Sequence, residues 1–99
     1  MNTKQNYDAV IIGAGHNGLV CAYYLARKGY KTIVLERSNV VGGAAITEEF
    51  HPGFRNSVAS YTVSLLQPKV IADMQLERHG LEVVLRKIDN FLPNDAGYL

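Results

Sequence analysis

An α/β fold that opens with a βαβ unit is predicted by three observations. Residues 7–12, Tyr7-Asp8-Ala9-Val10-Ile11-Ile12, form a largely apolar run ending in three β-branched residues. That run passes directly into Gly13-Ala14-Gly15-His16-Asn17-Gly18, after which apolar residues recur at helical spacing. A second apolar run, Thr32-Ile33-Val34-Leu35, then ends at Glu36. Strand, helix and strand fit into about thirty residues, the length of a βαβ unit.

The elements follow in order. Residues 7–12 read as a parallel strand, since near-continuous apolar runs mark strands buried on both faces. Residues 13–18 are the turn. Residues 18–28 predict a helix, with Leu19, Ala22, Tyr23 and Ala26 on one apolar face. Gly29 suits its end, and Arg27 and Lys28 in the last turn suit its dipole. Residues 32–35 are the second strand and residues 38–43 a loop. Residues 44–49 predict a short strand or extended segment, before a turn at His51-Pro52-Gly53. Residues 56–64 are polar and small and match no single template. Residues 68–74 predict a helix with Pro68 at its first position and an apolar stripe of Val70, Ile71 and Met74. Residues 81–85 read as a strand. Phe91-Leu92 and Tyr98-Leu99 flank Pro93-Asn94-Asp95-Ala96-Gly97, which reads as a hairpin turn.

Composition narrows the class. Of 99 residues, 47% are hydrophobic and 19% charged, which is globular rather than disordered usage. A net charge of +1 gives no broad basic field, so no nucleic-acid partner is expected. The single cysteine, Cys21, excludes an intramolecular disulfide and a cysteine-built zinc cluster, and no metal site is expected. Within its predicted helix Cys21 reads as a packed, inert thiol. No segment approaches the ~20 apolar residues of a membrane span, and the polar leader, residues 1–6, lacks the order of a secretory signal. A reducing, cytoplasmic setting is expected, with no membrane association indicated.

Each glycine of the turn has a task. Gly13 allows the tight turn off the strand. Gly15 lets the backbone approach a pyrophosphate, and Gly18 lets the helix pack close to the strand. The helix N-terminus, with Asn17 in its first turn, offers free N–H groups and partial positive charge to phosphates. Glu36, eighteen residues beyond Gly18, can accept hydrogen bonds from ribose hydroxyls, and its charge disfavours a 2′-phosphate. Together these features predict a Rossmann-type start of an FAD/NAD(P)-binding domain. A second pair, Gly42-Gly43, lies just past the second strand. An NAD site does not demand that pair, whereas it gives a second stretch of backbone access to the phosphates or ribityl chain of FAD. Arg37 is placed either over the adenine or in solvent. The expected cofactor-binding set is Gly13, Gly15, Asn17, Gly18, Glu36, Arg37, Gly42 and Gly43. An NAD-binding dehydrogenase fragment, and a short non-enzymatic protein using the turn for packing or partner binding, are the alternative readings.

Gly13 to Gly18, Glu36-Arg37 and Val41-Gly42-Gly43-Ala44-Ala45 together resemble the N-terminus of FAD-dependent, phytoene desaturase-related oxidoreductases. The nearest branch is that of the pyridine nucleotide-disulfide oxidoreductase domain-containing proteins. Glu48-Glu49-Phe50-His51-Pro52-Gly53-Phe54-Arg55, Ser57 to Tyr61 and Val63 to Pro68 carry the likeness further. The resemblance implies a two-domain flavoenzyme of several hundred residues. Residues 1–99 would be the first part of its FAD domain: the leader, an ADP-binding unit over 7–43, and the start of a connection to a substrate domain over 44–99. It also implies a small, apolar substrate and a segment holding Arg55, Ser57 and Ser60 that passes near the flavin ring. Ala44 stands where desaturases and amine oxidases often carry arginine, so flavin binding is a firmer expectation than carotenoid desaturation. His16 is expected to act through its backbone, His51 to be solvated and His79 to sit at a helix end. No residue stands out as general base or nucleophile, and catalytic residues stay unassigned.

Overall fold

The computed structural model describes residues 5–98. Strand β1, Ala9–Ile12, and strand β2, Thr32–Leu35, pair in parallel with Ala9 opposite Thr32 and Ile12 opposite Leu35. Helix α1, His16–Arg27, connects them and packs against both. The start of the pair is closed by Asp8, whose backbone N–H donates to the Lys31 carbonyl at 2.8 Å and whose Oδ2 accepts the Lys31 N–H at 2.7 Å. The βαβ unit predicted from the sequence is therefore present.

Its limits differ in detail. Helix α1 begins at His16, two residues before the expected start, because Gly15 is extended and serves as the N-cap. Leu19, Ala22 and Tyr23 are half-buried as expected, but Ala26 and Cys21 are exposed. The packed reading of Cys21 is thus corrected: the thiol lies on the uncovered side of α1. The expectation that β1 is buried on both faces is corrected as well. Ala9 and Ile11 are half-buried, whereas Val10 and Ile12 are 57% and 89% exposed. Helix α1 covers one face, and no other described element covers the opposite one.

After a 3-10 turn at Gly43–Ala45, strands β3, Thr47–His51, and β4, Phe54–Ser57, form an antiparallel hairpin around Pro52-Gly53. The expected turn is there, and β4 occupies the first two positions of the stretch that matched no template. Helix α2, Pro68–Asp73, has Pro68 in its first turn, with Val70 and Ile71 half-buried and Met74 at its C-cap. A second 3-10 turn spans Leu76–His79, preceded by Gln75 in a left-handed conformation at φ 52°.

Residues 81–85 do not form the expected strand. A strand needs a hydrogen-bonded partner for its backbone groups, and residues 81–85 pair with no other described strand; Val84 and Leu85 are 75% and 89% exposed. The last hairpin is tighter than expected. Strand β5, Pro93–Asn94, and the first residue of β6, Gly97–Tyr98, fall within the segment read as turn, leaving Asp95-Ala96 at the tip. Asn94 Oδ1 accepts the Ala96 N–H at 2.8 Å, a side-chain turn that tightens the loop. Leu99 and residues 1–4 of the leader lie outside the described residues.

Two tyrosines join α2 to α1. The Tyr24 hydroxyl donates to Asp73 Oδ2 at 2.8 Å, and the Tyr23 hydroxyl donates to the Asp73 carbonyl, one of the last carbonyls of α2. Lys69 Nζ lies 2.5 Å from Asp73 Oδ2, and Arg27 Nη1 lies 3.5 Å from Oδ1. The Lys69 ammonium and then the Tyr24 hydroxyl hold the Asp73 carboxyl down to about 2, while the same contact raises Lys69. Ala14 is the only fully buried apolar residue among those described, so the centre of the fold is the glycine turn itself.

Candidate dinucleotide-binding site

The site is built where β1 ends. Gly13 adopts φ +99°, and its N–H donates to the Leu35 carbonyl at 2.7 Å, extending the parallel pairing by one bond before the chain turns. Gly15 then caps α1, and the Leu19 N–H closes the first helical bond onto the Gly15 carbonyl at 2.9 Å. No side chain caps this helix, and no acidic residue stands in its first turn. The first turn of α1 itself therefore carries no group that neutralises the partial positive charge of the helix N-terminus. Asn17 and His16 sit in that turn, and both are exposed.

Gly18 is a steric requirement. A Cβ there would lie 2.1 Å from the Gly13 carbonyl oxygen and 3.4 Å from Ile11 Cγ2. Only glycine lets α1 descend this close to β1, as its spacing in the sequence implies.

The second glycine pair returns to the first. Gly42 forms a parallel bridge with Gly15, and its N–H donates to the Ala14 carbonyl at 2.7 Å. A Cβ on Gly43 would stand 2.9 Å from Gly15 Cα. Gly42 has φ +126°, and a Cβ there would meet Ile46 Cγ2 at 2.6 Å. The sequence places both pairs near one ligand; the structure adds that they pack on each other, so Gly15 is small for its glycine neighbour as well as for any approaching phosphate.

Glu36 closes the arrangement. Its Oε2 accepts the Ala14 N–H at 2.7 Å, and its Oε1 accepts the Ser38 N–H at 2.7 Å. The Ser38 N–H, then the Ala14 N–H, lower the carboxyl below its ordinary value. Each oxygen keeps a further lone pair for a hydroxyl donor. Arg37 is exposed. Ala14 and Ser38 are the participants that sequence reasoning missed. Both act through backbone groups, so side-chain chemistry gives no signal for them. Position was the available clue for Ala14, which lies between two glycines.

The structure thus brings Gly13, Gly15, Gly18, Glu36, Gly42 and Gly43 into one assembly, with Asn17 at the helix entrance. Residues 11–75 match the NAD(P)-binding Rossmann-like domain family. The chain belongs to that family. It is 57% identical over 90 residues to pyridine nucleotide-disulfide oxidoreductase domain-containing protein 2 of Rattus norvegicus, covering 91% of this chain and 16% of that protein. It is 47% identical over 81 residues to a limonene dehydrogenase subunit of Castellaniella defragrans, covering 81% of this chain and 15% of the relative. With thioredoxin reductase of Aquifex aeolicus it shares 36% identity over 84 residues, 83% of this chain and 24% of that enzyme. The chain therefore spans about a sixth of the length of the first two relatives. It is a dinucleotide-binding domain of an oxidoreductase family.

Proposed function

We propose that this chain supplies the ADP and pyrophosphate part of an FAD site in an oxidoreductase of the phytoene desaturase-like group. The observation that carries this reading is the main-chain pairing of Gly42 with Gly15. A second backbone segment is held at the mouth of the first glycine turn, where an NAD site needs only the turn and the acid. The cradle fits the cofactor: added Cβ atoms at Gly18, Gly42 or Gly43 would each come closer than 3.0 Å to existing atoms.

In this reading the N–H groups at the start of α1 receive the pyrophosphate, and Gly15 and Gly43 keep the approach clear. Glu36 receives a ribose hydroxyl on the lone pairs that Ala14 and Ser38 leave open. Asn17 stands beside the phosphates and Arg37 at the adenine end. When bound, the flavin supplies the hydride-accepting chemistry. Residues 44–99 lead towards a substrate domain of the whole protein. The limonene dehydrogenase among the relatives supports a small, apolar substrate for it.

The test is cofactor analysis of the complete protein purified without added nucleotide. Stoichiometric FAD, released on denaturation, is the expected result. A colourless protein that binds NAD and takes up no FAD would sink the flavin reading and favour an NAD dehydrogenase.

A further inference from the structure

The Gly42-Gly43 pair is tethered on both sides. On its N-terminal side Gly42 donates to the Ala14 carbonyl. On its C-terminal side the chain enters the 3-10 turn, where the Ala45 N–H donates to the Gly42 carbonyl at 3.1 Å and the Ile46 N–H to the Gly43 carbonyl at 3.3 Å. The outer tether comes from the far end of the β3–β4 hairpin. The Ser60 hydroxyl donates to the Ala44 carbonyl at 3.0 Å, across sixteen residues of sequence. Ser60 is itself fixed, because its N–H donates to Ser57 Oγ at 2.9 Å. The Val58 N–H donates to the Ile46 carbonyl at 3.0 Å and runs alongside this link.

The geometry points to Ser60 as a positioning residue for the cofactor: its hydroxyl holds the Ala44 carbonyl, and through it keeps the Gly42-Gly43 backbone seated on Gly15. This inference rests on the FAD reading above and extends it to a residue outside both glycine motifs. The seating has little tolerance. Gly43 and Gly15 pack so closely that a single added methyl would overlap, so a shift of the pair towards Gly15 would narrow the path of the pyrophosphate. The backbone link from Val58 to Ile46 remains when the Ser60 hydroxyl is removed. Losing the hydroxyl therefore loosens the pair without unfolding the hairpin.

The experiment compares the complete wild-type protein with Ser60→Ala and Ser60→Thr, measuring FAD affinity of each apoprotein by flavin fluorescence quenching and apoprotein melting temperature. The expected result for Ser60→Ala is a rise of about three- to tenfold in the FAD dissociation constant, the loss of one ordinary hydrogen bond, at an unchanged melting temperature. Ser60→Thr, which keeps a hydroxyl, restores affinity. Equal affinity of wild type and Ser60→Ala would overturn the role of Ser60 and leave the FAD reading intact. A parallel fall in affinity and melting temperature, not restored by threonine, would reduce Ser60 to a structural residue. A wild-type protein that binds no FAD would overturn both.

Discussion

At the residue scale the site depends on what is missing from the glycines and on two oxygens of Glu36. Gly18→Ala would drive a methyl into the Gly13 carbonyl, and overpacking of this kind costs about 1–3 kcal/mol. A lower melting temperature with weakened cofactor binding is the expected outcome, and an unchanged melting temperature would show that α1 can move away from β1 freely. Gly15→Val should abolish FAD binding in the complete protein, since its side chain would occupy the space shared by Gly43 and the pyrophosphate. Full flavin occupancy in that variant would refute the assignment. Glu36→Ala removes the acceptor of the buried Ala14's N–H and the proposed ribose contact together. About a tenfold or greater loss of FAD affinity is expected, in line with hydrogen bonds to a charged acceptor. An unchanged dissociation constant in a fluorescence titration would leave Glu36 a surface charge.

At the scale of elements, α2 is held to α1 chiefly through Asp73. Its carboxyl is depressed from 3.8 to about 2 by Lys69 and Tyr24. The attachment is therefore complete above pH 3.8 and is lost as the pH falls through about 2. Amide exchange in residues 68–73 should accelerate over that window ahead of residues 16–27. In Asp73→Asn it should be fast already at neutral pH, with the acid dependence gone. Equal exchange in the variant and the parent at neutral pH would mean that apolar packing of Val70 and Ile71 suffices. The legible elements are those whose partners lie close in sequence. Thr32–Leu35 is readable to the residue because its apolar run is bounded by a charge on each side, Lys31 and Glu36. Pro68 marks the start of α2. Residues 81–85 carry the strand pattern but not the strand, because apolar and β-branched residues supply only a propensity and pairing must come from elsewhere. The start of α1 is hidden because glycine gives no side-chain cap to recognise.

For the whole molecule, exposure is the informative quantity. The radius of gyration is 18.8 Å, against about 13 Å for a compact domain of 100 residues. Ile12, Leu65, Leu85 and Tyr61 are each more than four-fifths exposed. The cradle is nevertheless built on one βαβ unit, whose strand ends and helix start fix the spacing of Gly13, Gly15, Gly18 and Glu36, which is why its glycines and acid could be read from sequence. The mutual packing of the two glycine pairs could not, because it depends on where the chain goes after Glu36. Together with relatives about six times longer, this supports the proposal that the cradle is one portion of a larger flavoenzyme. Native mass spectrometry of the protein from its source, with cofactor retained, tests that claim most directly. One FAD on a polypeptide much heavier than 10.9 kDa is the expected result. A species of that mass carrying no flavin would contradict it.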